Sequence, residues 1–175
     1  MDSEKEIEEN ESKLKKFYIV LMSFLIVVLA LSYFLLGPRI FEIVGSLTES
    51  SELKNNLTIE TKNLTIVLEK NVYKSLKDIY FENHDREFKA CLLGNIKNGT
   101  YYVSEIYIPK QKGEFNKVVY TSCPKETIIS LHSHPFLRCI PSKQDFLSFS
   151  NFKKINPNVL MMIMCSEDRF YVYGN

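Results

Sequence analysis

From Phe17 to Leu36 the chain runs through twenty residues without a charged side chain, rich in Leu, Val, Ile and Phe. As a helix such a run rises about 30 Å, the thickness of a bilayer core, and it predicts one transmembrane helix. Ala30 and Ser32 are small enough to suit a signal peptidase. The preceding tail, residues 1–16, is however long and rich in Glu, and the apolar run continues past them, which favours an uncleaved anchor. Residues 37–61, with Pro38, Gly45 and a Ser/Thr/Glu/Asn-rich stretch, lack sustained periodicity and read as a juxtamembrane linker.

From residue 62 to 175 the pattern is that of a folded domain. Leu64–Leu68 is a short β-branched run, and Val72, Tyr73, Leu76, Ile79 and Tyr80 follow at helical spacing with one apolar face. Strand character returns over Phe88–Leu93, Tyr101–Ile108, Val118–Thr121 and Thr127–His134. A helix over Lys143–Lys154 places Phe146, Phe149 and Phe152 on one side, and Val159–Cys165 and Phe170–Tyr173 are strand-like again. This order predicts an α/β domain, a mixed sheet with flanking helices.

The formal net charge is +1 with both signs interspersed, which argues against a nucleic-acid partner. Lys5, Lys13, Lys15 and Lys16 precede the apolar run, whereas Arg39 and Lys54 follow it, so the tail is expected on the cytoplasmic side and the domain outside. Three N-x-[ST] triplets, at Asn56, Asn63 and Asn98, are compatible with that side. The four cysteines are too scattered for a disulfide scaffold and form no C-x-x-C, so a metal would need other ligands.

Such ligands stand at the end of the run Thr127–His134. Alternation puts His132 and His134 on one strand face, and Asp145, in the first turn of the next helix, can supply an oxygen as the third ligand. Zinc held by three protein groups keeps a position for water, the catalytic arrangement, and brings the pKa of that water to about 7. Glu87, entering a strand, is the candidate proton carrier, and Ser142 a candidate donor to an oxyanion. Each residue also has a plainer reading: a packed or surface histidine, a solvated Glu87, and a capping box in Ser142-Lys143-Gln144-Asp145. His84, beside Asp85 near a turn, is given no role.

The conjunction decides between them. The string His-x-His, seven residues, Ser, two residues, Asp is matched by His132, His134, Ser142 and Asp145, and ordinary residue frequencies yield it by chance on the order of once in several thousand such chains. It resembles the signature of the JAMM (MPN+) metallopeptidases, with Glu87 seven residues before Gly94 and prolines at Pro135 and Pro141 as family members commonly have. The resemblance covers about residues 62–175, most specifically Thr127–Phe149. It implies a cytidine-deaminase-like JAB/MPN fold and a zinc peptidase or isopeptidase of the deubiquitinase type. On that resemblance His132, His134 and Asp145 bind zinc, Glu87 moves the proton and Ser142 steadies the oxyanion. Ala90 stands where many relatives have Gly, and with Asn175 as its last residue the sequence is expected to lack the C-terminal elements of longer relatives.

If the strands flanking Lys143–Lys154 run parallel, Cys139 and Cys165 come to the same sheet edge, within bridging range. Cys139 as a nucleophile beside His132 or His134 would leave the aspartate and glutamate unexplained. Cys91 and Cys123 read as apolar core or strand residues. The expected function is that of a membrane-anchored zinc metallopeptidase whose partners are a lipid bilayer, through residues 17–36, and a protein or peptide substrate, ubiquitin-like conjugates among the candidates. The alternative is a membrane-tethered MPN-type binding module without catalysis. A nucleobase deaminase is set aside because neither H-x-E nor P-C-x-x-C occurs.

Overall fold

The computed structural model describes residues 2–114 and 117–174, with side chains for residues 13–34, 43–112 and 118–174. The side chains of Lys5, Pro38 and Arg39, and the whole of Asn175, lie outside the described residues. The chain separates into two compact units, one ending at Phe41 and one beginning at Glu42. Helix α1 (Asp2–Glu49) contributes to both. Its stretch Lys13–Phe34 is long and apolar enough to cross a membrane, and its side chains are exposed apart from half-buried Ser32.

The second unit is a mixed α/β domain on an eight-stranded sheet. Its strands are β1 (Ser51–Glu52), β2 (Thr58–Glu60), β3 (Thr65–Leu68), β4 (Lys89–Lys97), β5 (Thr100–Tyr107), β8 (Thr127–Ser133), β9 (Leu160–Ser166) and β10 (Arg169–Tyr173), in the order β1-β10-β9-β8-β4-β5-β3-β2. β3 with β5 and β8 with β9 are parallel pairs, and the remaining neighbours are antiparallel. Strands β6 (Gln111–Glu114) and β7 (Lys117–Tyr120) form a separate hairpin. The stretch Val118–Thr121 is therefore largely strand, but it lies in this hairpin and outside the main sheet.

Every position of β8 is buried, and β9 is buried from Leu160 to Cys165. Covered on both faces, β9 reads as a nearly continuous apolar run, whereas β8 carries buried polar residues, Ser130 and His132, between its apolar ones. Leu92, Ile129, Leu131, Leu160, Met162, Met164 and Phe170 are fully enclosed, each burial contributing about 1.5–3 kcal/mol. Helix α2 (Lys70–Glu82) buries Val72 and Leu76 against this core, and Tyr80 Oη donates to the Cys165 carbonyl at 2.8 Å. Helix α3 (Lys143–Ile155) crosses over between β8 and β9 and buries Phe149 against Val159 and Met161.

Residues 37–61 are no linker. They hold the last turns of α1 and both edge strands of the sheet, β1 paired with β10 and β2 with β3, with Ile59 completely buried. Edge strands of two and three residues are too short to show alternation, so a polar composition hid them. Gly94 sits at a register shift between β4 and β5, where an added Cβ would collide with the Tyr102 carbonyl oxygen. A glycine is what lets β4 bend there.

Candidate active site

At the end of β8, backbone bonds hold Ser133 and His134 towards the chain on either side. Ser133 N–H donates to the Phe88 carbonyl at 2.9 Å and His134 N–H to the Met164 carbonyl at 3.0 Å. The Ser133 hydroxyl turns inward and accepts the Phe88 N–H at 2.9 Å, so this buried serine holds the residue next to Glu87 from both sides. His132 and His134 project to the opposite face together, their ring centroids 4.9 Å apart.

Asp145 arrives from α3 through the reciprocal capping box. Ser142 Oγ accepts the Asp145 N–H at 3.2 Å, and Asp145 Oδ2 accepts the Ser142 N–H at 2.6 Å. The same carboxylate lies between the imidazoles, Oδ1 3.1 Å from His132 Nε2 and Oδ2 3.4 Å from His134 Nε2. The three candidate ligand atoms all lie within 4.8 Å of one another, so His132, His134 and Asp145 form a group that could hold a metal ion. Glu87 Oε1 is 3.7 Å from His134 Nε2. Glu87, His132 and His134 are all buried, Ser142 is exposed at the rim, and a cavity of about 130 Å³ opens among Glu87, His132, Ser142 and Asp145.

The donors suit a cation. His134 Nδ1 lies 2.8 Å from the Arg138 carbonyl, which can only accept, so Nδ1 carries the hydrogen and Nε2 presents its lone pair. His132 Nε2 is buried and, despite its closeness to Asp145, makes no hydrogen bond of acceptable geometry. Burial pushes the His132 imidazole down to about 4 against the opposing pull of Asp145, keeping it neutral near pH 7. Burial alone would raise the Asp145 carboxyl, but the close His132 and His134 rings and Ser142 outweigh it and hold that group far below the usual carboxylate range. Burial lifts Glu87 to about 7, the nearby Asp145 adding to the rise and His134 and Arg138 opposing it.

Glu87, His132, His134, Ser142 and Asp145 are thus brought to one place. His84 is exposed and bonded locally to Phe81. Cys139 and Cys165 are joined by a disulfide with Cα atoms 5.1 Å apart, across the end of the parallel β8–β9 pair. Cys91 and Cys123, read from sequence as core or strand residues, are also joined, at 5.8 Å between Cα atoms. The chain leaving β7 returns over β4, which spacing in the sequence does not reveal. Ser133 and Arg138 were missed as well. The middle residue of His-x-His carries no chemistry of its own, and a backbone carbonyl has no signature in sequence.

Fold and site together define a mixed α/β domain with a buried three-ligand candidate metal centre and an adjacent carboxylate. The chain is 22% identical over 138 residues to AMSH-like ubiquitin thioesterase 1 of Arabidopsis thaliana, a similarity covering 70% of this chain and 27% of that protein. It therefore spans about a quarter of the length of the plant relative, and the likeness hints at a JAMM relationship. No family model matches the chain.

Proposed function

We propose that this protein is a membrane-anchored, zinc-dependent hydrolase of the JAMM type that cuts an amide bond in a protein or peptide. The observation that carries the reading is the convergence of His132, His134 and Asp145 within 4.8 Å, with Glu87 at their side. His132 Nε2, His134 Nε2 and the Asp145 carboxylate would hold the zinc, a donor set suited to that ion. Zinc bound there supplies a Lewis acid and makes hydroxide accessible at neutral pH.

Glu87, with a pKa of about 7, can both take and give a proton near neutrality. It removes the proton from the attacking water and delivers it to the departing amine. Ser142 Oγ spends an acceptor site on the Asp145 N–H, which leaves its own hydrogen free to donate to the oxyanion of the attacked carbonyl. Capping and catalysis are therefore compatible in one hydroxyl. The plant relative is named a ubiquitin thioesterase, which puts ubiquitin-like conjugates among the candidate substrates. The lysine excess before the apolar helix and the two disulfides favour an extracytoplasmic domain, where peptides would be the substrates.

Zinc content of the full chain in detergent, after dialysis, tests the reading against His132→Ala/His134→Ala. About one zinc per chain in the wild type and none in the double variant is the expected result. Wild-type protein that takes up no zinc on titration overturns it and leaves a membrane-tethered binding platform.

A further inference from the structure

Lys89 opens β4 two residues after Glu87, on the same face of the strand. Its side chain is only 4% exposed, a rare state for lysine. Nζ donates to Ser130 Oγ at 2.6 Å and lies 4.9 Å from the centroid of the Tyr120 ring. Among the described residues no carboxylate forms an ion pair with it. Asp145, whose field it feels, is already engaged by His132, His134 and the Ser142 N–H. A hydroxyl and a ring face replace only part of the hydration an ammonium loses on burial, so the group sits in the core under-compensated.

The arrangement is also rigid. Lys89 stands opposite His132 in the β4–β8 register, while the Gln111 side-chain amide accepts its N–H and donates to its carbonyl. The backbone is thus pinned on both sides, which fixes where the Lys89 side chain enters the cavity. Lys89, Tyr120 and Ser130 line the same cavity as Glu87, His132 and Asp145. At about 130 Å³ that cavity is far smaller than the roughly 300 Å³ at which drug-sized sites begin, and it suits the end of one side chain. An incoming carboxylate oxygen there would give the Lys89 amine the partner that, among the described residues, no ion pair supplies.

We propose that Lys89, with Ser130 and Tyr120, forms an anion subsite that takes a substrate carboxylate beside the amide bond to be cut, making Lys89 a specificity-determining residue. This deepens the hydrolase reading and rests on it for what is cut; the binding of the carboxylate is read separately.

The test is calorimetric titration of the full chain in detergent with three probes. N-acetylglutamate α-amide carries a side-chain carboxylate, N-acetylglutamine a chain-terminal one, and N-acetylglutamine amide none. At least one carboxylate probe should bind tenfold or more tightly than the neutral probe to the wild type, and Lys89→Met should erase the difference. Whichever carboxylate is preferred distinguishes an acidic side chain from a chain end. Because Lys89→Met could disturb folding, the wild type labelled with 13C at lysine Cε gives a second reading: the Lys89 resonance, recognised by its proximity to the Tyr120 ring, should move with the carboxylate probe alone. Equal binding of all three probes, binding of none, or a preference kept in Lys89→Met overturns the subsite. Zinc content measured on the same samples keeps the two readings apart, since carboxylate-selective binding without zinc refutes the hydrolase and leaves the subsite standing.

Discussion

Glu87 and Asp145 are both carboxylates near two imidazoles, yet their environments drive them in opposite directions. Asp145 accepts the Ser142 N–H at a helix start beside two imidazoles and stays ionised, whereas Glu87 is desolvated without such support and is lifted to about 7. Glu87→Gln is therefore expected to keep its zinc and to lose turnover by a factor of about 100 or more, checked by metal analysis beside an amide-cleavage assay. Asp145→Ala should lose both. In metal-free protein a carboxyl whose folded pKa stands above its ordinary 4.5 holds its proton more tightly in the native state, so stability is lost as pH rises from about 4.5 through about 7. Metal-free Glu87→Gln should accordingly be more stable than wild type at pH 8, by up to about 3 kcal/mol, with the difference vanishing below pH 4. Denaturant titrations at the two pH values measure it, and a difference that does not depend on pH would refute the assignment. His132, Ser142 and Asp145 were legible because their types and spacing are chemically demanding. Lys89 was not, since nothing in a sequence marks one lysine among many as buried.

Among elements, β4 and α3 set the geometry. Ser142 begins α3 and orients Asp145, so Ser142→Ala should cost about 1 kcal/mol from the lost cap and also lower turnover. Ser142→Gly is expected to restore most of the stability and none of the turnover, an outcome that separates the two roles of the hydroxyl. Gly94 lets β4 bend where it passes Tyr102, and Gly94→Ala should destabilise the domain on the order of 3 kcal/mol, read as a lowered denaturation midpoint. The long strands and both helices of the domain were visible as periodicity in the chain. The edge strands β1 and β2 were hidden, because two or three residues carry no period, and only pairing to β10 and β3 makes them strands.

At the scale of the whole molecule, the apolar helix and the two disulfides bear on location. All four cysteines are paired, so a thiol reagent should label none before reduction and all of them after it, as mass spectrometry would register. Among the described residues the apolar stretch Lys13–Phe34 is exposed. The chain should stay with the membrane fraction after alkaline extraction, and release into the supernatant would rule out the anchor.

What the sequence determined by itself was everything written in local order: the uncharged twenty-residue run, the strand and helix periods, and the His-x-His…Ser-x-x-Asp string that singled out the candidate site. Tertiary structure alone decided which distant groups meet. It brought Glu87 beside His134 across neighbouring strands, turned Ser133 onto Phe88, joined Cys91 to Cys123, and enclosed Lys89 under Tyr120. The physical reason is that burial and pairing belong to the packed sheet, where a side chain's partners are fixed by strand order and register, neither of which is a property of its neighbours along the chain.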